Sequence, residues 1–212
     1  MLNLTPAELI ANVVVLIVAF TIHELAHALT ADWFGDSTPR AYGRLTLNPL
    51  AHLDPLGSLL LLVAGFGWAK PVPINPAVLE RRSPAAVMWV SLAGPLSNLM
   101  LAALAAIPFR LGWLQPALPK GLLPNADQIF TQFVFVNLIL MLFNLLPLAP
   151  LDGEKIIAYF LPKTWAWRLE SLRPYSTPIL LGLLFLAPML GLNILDTIIF
   201  YPAAALFRLL VL

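Results

Sequence analysis

Long apolar runs constrain this chain more than any motif in it. A bilayer-spanning helix needs about 20 mostly apolar residues, and residues 6–33, 84–109 and 129–146 meet that need in length and character. After Pro174 the chain stays apolar almost to its end, and Gly191-Leu192-Asn193 is the turn that divides it into two shorter spans, 175–190 and 194–212. The first run is not expected to be a cleaved leader, because no Lys or Arg precedes it and no small-residue cleavage site follows. Hydrophobic residues make up 60% of the chain and charged residues 11%. That is too little charge to clothe a soluble domain and too little for disorder. The net charge of +1 leaves no basic stripe for nucleic acid, which is excluded as a partner. Without cysteine, a disulfide scaffold and a thiolate metal site are excluded as well.

The expected fold is therefore an all-α integral membrane protein with about five transmembrane helices. Between the first two, residues 56–66 are apolar but too short to span, and suit a re-entrant segment packed on protein. Residues 42–47 and 68–74 have the look of short extended segments, a β-hairpin element whose edge could pair with an unwound peptide. The whole chain, 1–212, is expected to form one membrane-embedded domain, with a catalytic core over about 6–160 and a C-terminal helical hairpin over about 174–212. Basic residues set the orientation. Arg40, Arg44, Lys70, Arg81 and Arg82 follow the first span, and Lys155, Lys163, Arg168 and Arg173 follow the third. Only Arg110 and Lys120 lie between the second and third. The richer loops belong in the cytoplasm, with the amino terminus outside.

The first span carries Thr21-Ile-His23-Glu24-Leu-Ala-His27. Residues four apart share a helix face, so His23 and His27 can offer two imidazoles to one metal ion. Glu24 lies on the adjoining side, where it can act as general base on a metal-activated water. Ionisable groups inside a span point to function. A catalytic zinc site takes three protein ligands, so a carboxylate or His52 must supply the third. Asp152, at the end of the third span, falls at the same membrane depth as the histidines and is the preferred candidate. His52 and Asp54 are its rivals, and an N-cap is its competing structural role. Asn98 has two open roles, a donor to the substrate or oxyanion and a helix–helix hydrogen bond. Asn144 suits a role in fixing the loop that aims Asp152. A transporter would string ionisable groups along a path, whereas here they converge on one end of two helices.

Together these motifs resemble the site-2 protease family of intramembrane zinc metalloproteases, in the compact prokaryotic form without PDZ or CBS domains. The resemblance runs through His23-Glu24-Leu25-Ala26-His27, Gly94-Pro95-Leu96-Ser97-Asn98, and Asn144 and Pro147 with Leu151-Asp152-Gly153. Gly43–Pro49, His52–Gly57 and Gly67–Val72 extend it. It implies one zinc ion per chain held by His23, His27 and Asp152, with Glu24 as catalytic base. It also implies an endopeptidase of the bilayer, in a prokaryotic cell membrane, that hydrolyses peptide bonds within or next to the transmembrane segments of membrane proteins.

Overall fold

Two rows of small residues decide how the first helices meet. The structure, a computed structural model, describes residues 5–57, 67–118 and 120–212. Helix α1, Pro6–Trp33, starts at a capping box in which Thr5 and Glu8 exchange backbone bonds, with proline at the first helical position. Its buried residues include Ala7, Ala11, Val15, Ala19, His23, His27 and Ala31, one every fourth position. Such a row slants across the helix as an i±4n ridge. After the one-turn helix α2, Thr38–Ala41, and the short helix α3, Pro76–Arg82, the second long helix α4 spans Ala86–Arg110. It buries a matching row: Ala86, Val90, Gly94, Asn98, Ala102 and Ala106. The two rows pack together, and because nearly all their members are small the backbones approach closely. The histidines occupy places that the rest of the α1 row gives mainly to alanine.

Helix α5, Ala126–Asn144, begins at an Asn125–Gln128 capping box. Its Val134, Leu138 and Met141 pack on Ala102, Ala105 and Phe109 of α4, with Ala203 and Val211 near the chain's end. Among the described residues three helices, α1, α4 and α5, are long and apolar enough to cross a membrane. Their outer faces expose Ile10, Val14 and Val18 on α1, and Leu96, Met100 and Leu104 on α4. An apolar surface of this extent is stable against lipid rather than water. The protein is a mostly helical membrane protein.

Beyond α5, the last two of the five expected spans are not seen as single long helices among the described residues. Helices α6, Asp152–Phe160, and α7, Lys163–Ser171, are short. Helix α8, Arg173–Leu181, runs through a π-type turn to residue 189. A second helical run, 194–211, has a π-type turn at Asp196–Phe200 and ends as α9, Tyr201–Val211. Neither is an uninterrupted α-helix of spanning length among the described residues. Arg110 ties this end to the bundle, its guanidinium donating to the carbonyls of Leu209 and Leu210. The β-hairpin is corrected too: the described residues contain no strand, only one antiparallel bridge between Leu53 and Ala69. Prolines at 71 and 73 remove the donors a strand would need. Most of the expected re-entrant stretch, from 58 to 66, lies outside the described residues.

Residues 145–151 turn the chain back beneath the end of α5. Leu148 bonds Leu146 and Leu151 bonds Leu148 through the backbone, at 2.8 and 2.9 Å. The turn is tight enough that a Cβ on Gly153 would collide with the backbone of Leu145 and Leu146. Gly153→Ala is expected to lower stability by about 1–3 kcal/mol, measured as a reduced thermal midpoint in detergent.

Candidate metal centre

The packing of α1 on α4 brings the two histidines under Gly94. Nε2 of His23 and Nε2 of His27 stand 3.0 Å apart. The turn that reverses the chain after α5 carries Asp152 to them, with its Oδ2 at 3.2 Å from each Nε2. All three side chains are buried. Asp152 does not cap α6: Leu151 is the N-cap residue, and the carboxylate turns inward to the imidazoles.

Each imidazole is oriented from behind. The Nδ1 of His23 donates to Oδ1 of Asn98 at 2.6 Å, and the Nδ1 of His27 donates to the Val90 carbonyl at 2.6 Å. Both partners are acceptors, so both protons sit on Nδ1 and both Nε2 lone pairs point at the common centre. Asn98 donates its amide to Asn137 of α5 at 2.8 Å, and Asn137 donates in turn to the Phe133 carbonyl. Asn98 thus makes the helix–helix hydrogen bond expected of it, in a link that runs from His23 through α4 to α5.

This donor set fits zinc. Ligands that each bind one tetrahedral zinc at about 2.0–2.1 Å stand about 3.3 Å from one another, close to the separations seen here. Two imidazole nitrogens and a carboxylate oxygen are zinc donors of ordinary type. Room is left as well: a Cβ at Gly94 would collide with Nε2 of both histidines.

Glu24 turns to the adjoining side, where its Oε2 accepts a bond from the Val72 backbone at 3.0 Å. Buried polar groups hold that neighbouring segment from the other side. The guanidinium of Arg44 donates to the carbonyls of Lys70 and Pro71, and Asp36 accepts from the Asn75 backbone at 2.6 Å. His52 lies within this scaffold and not at the metal group. Its Nε2 donates to the Thr46 carbonyl, and its own carbonyl accepts from Lys70. Asp54 accepts from the Gly57 backbone. With the Lys70 and Val72 donors engaged and prolines at 71 and 73, residues 70–73 offer no free backbone N–H to an extended peptide. The expected pairing edge is therefore absent there. Asn144 bonds the Leu140 carbonyl of its own helix, not the loop that aims Asp152.

Glu24, His23, His27 and Asp152 all line one cleft of about 750 Å³. Its walls are mostly apolar, with Leu16 and Phe20 from α1, Ile139 and Phe143 from α5, and Leu180 and Leu184 from the C-terminal run. Reasoning from sequence missed Gly94 as the opening over the nitrogens, Asn137, and the Val72 amide. Asn137 could have been found as a polar side chain in an apolar span. The Val72 contact had no signal in the sequence.

Fold and site together define a zinc metalloprotease of the membrane. Comparison with known proteins agrees. Over 181 residues the chain is 46% identical to YwhC of Bacillus subtilis, a candidate zinc metalloprotease, a match covering 84% of this chain and 80% of that one. It is 32% identical over 180 residues to Rip2 of Mycobacterium tuberculosis, named in the same way, covering 82% of this chain and 66% of the relative. Rip2 of Mycolicibacterium smegmatis is 33% identical over 149 residues, about half of its length. No family model and no solved structure matches. The chain belongs to the family of these relatives, the zinc metalloproteases that include YwhC and Rip2.

Two substitutions and one control test the centre. Gly94→Ala should abolish stoichiometric zinc binding, whereas Gly182→Ala, with open space around it, should leave zinc in place. Asn98→Ala should weaken zinc binding by roughly 10–100-fold. Metal analysis of purified protein equilibrated in zinc buffers checks both.

Proposed function

We propose that this zinc metalloprotease is an intramembrane endopeptidase, hydrolysing peptide bonds within or next to the transmembrane segments of other membrane proteins. The observation that carries the proposal is the meeting of Glu24 with His23, His27 and Asp152 in an apolar-walled cleft among membrane helices. His23, His27 and Asp152 hold the zinc, one ion per chain. In this reading the basic-rich loops favour a cytoplasmic position for this end of the bundle, and the two interrupted C-terminal runs count as the fourth and fifth passes of a single domain.

Bound zinc acidifies water to a pKa of about 7 and polarises a carbonyl. Glu24 supplies the proton transfers. Its Oε2 is held by the Val72 amide, which leaves Oε1 to accept the proton of the attacking water as oxygen bonds to the carbonyl carbon. As the C–N bond breaks, the same carboxyl returns that proton to the leaving amine. Asn98 and the Val90 carbonyl keep both imidazoles fixed through the cycle. The apolar walls receive a substrate helix, which must unwind locally because its carbonyls are otherwise spent within it.

Glu24→Gln is expected to keep its zinc and lose on the order of 10²–10⁴-fold in cleavage rate. A single-span substrate co-reconstituted in liposomes provides the assay, with metal analysis alongside. Undiminished cleavage by this variant would refute the mechanism. Stripping zinc with a chelator should stop the wild-type reaction, and zinc added back should restore it.

A further inference from the structure

Lys155 is the one Lys or Arg among the described residues that line the cleft. It lies three positions after Asp152 on α6, and residues at that spacing share a helix side. The neighbouring charges are already matched. Arg173 bonds the buried Glu154 at 2.9 Å and also pairs with Glu170, and Arg44 is spent on the carbonyls of Lys70 and Pro71. Lys70 sits between cleft-lining residues yet is itself exposed and outside the lining. Lys155 is partly buried and forms no ion pair or hydrogen bond among the described residues.

The pairing of the cleft's charges makes this cation informative. Asp152 faces the two imidazoles and Glu24 takes the Val72 amide, so neither cleft carboxylate pairs with the ammonium of Lys155, which has no counter-charge among the described residues. In a mostly apolar cleft an unmatched charge is costly, and a ligand that brings the opposite charge is favoured over one that does not. We propose that Lys155 is a specificity residue that pairs with an acidic side chain of the substrate. This inference rests on the function proposed above. An extended peptide advances about 3.3 Å per residue, and a lysine side chain reaches over a similar few ångströms from its helix. The carboxylate therefore belongs roughly two or three residues from the scissile bond. The preferred substrate is an apolar segment with Asp or Glu placed there.

The test uses the zinc-loaded full chain in liposomes with three transmembrane peptides that differ only in Glu, Gln or Lys at that position. Wild type should favour Glu over Lys by roughly 5–30-fold, mainly through KM. Lys155→Glu should reverse the order, Lys155→Met should flatten it, and both should retain their zinc. An unchanged order in Lys155→Glu would overturn the proposal, since a lysine that only anchors α6 at the membrane surface behaves in that way. Wild-type cleavage without preference overturns this inference alone. Failure of wild type to cleave any of the three overturns it together with the function on which it rests.

Discussion

The close packing of α1 on α4 is the contact on which the rest of the molecule depends. It exists because two rows of mostly small residues, spaced every four positions, face each other across the helix crossing. Where the α1 row changes from alanine to histidine, the α4 row answers with Val90, Gly94 and Asn98. One gives a carbonyl, one gives space and one gives an amide oxygen. The zinc-binding geometry is thus a local variation on a packing motif, and bundle stability and ligand orientation share the same residues. In lipid this matters more than in water, since helix association there relies on van der Waals contact and hydrogen bonds rather than apolar burial.

Much of this was legible in the chain itself. Spacing alone placed His23 and His27 on one helix face, and the apolar runs predicted the helices now seen as α1, α4 and α5. Asp152 could be brought to the histidines by depth, because span ends and basic loops constrain it. What stayed hidden was whatever depends on register between segments. The role of Gly94 appears only when α4 is set against α1, and the engagement of Glu24 with Val72 joins residues 48 positions apart through a backbone group that carries no sequence signature. The 68–74 segment resembled a strand because its composition is extended-like. The Lys70 and Val72 donors instead go to single partners on different elements, and no strand forms among the described residues. At the C-terminal end, composition predicted two spans, but hydropathy does not report the π-type turns at Gly182–Leu186 and Asp196–Phe200.

Several polar residues inside the bundle satisfy one another, although the buried Ser91 hydroxyl has no partner among the described residues. Asn98 and Asn137 form a chain from His23 to α5, so each desolvated amide is satisfied while aligning the next group. Asn12 and Gln132 pair at 2.6 Å elsewhere between α1 and α5. The same pairing extends to charge, where buried Glu154 has Arg173 and buried Asp36 has the backbone amides of Thr38 and Asn75. Against this background, a cleft-lining cation with no partner in the described residues stands out.

The segment beside Glu24 is held through its backbone by polar groups from several elements. His52, Arg44, Glu24 and Asp36 all bind its amides or carbonyls. Mutation can therefore alter the side chains at 69, 70 and 72 without disturbing the groups that locate the carboxylate, whereas Ile74 packs on the buried cluster of Ala31, Leu79, Ala86 and Val90. Relatives can diverge in what they present to a bound polypeptide while inheriting the same reaction chemistry. This stretch is the natural place to randomise when the protease is to be directed at a new target.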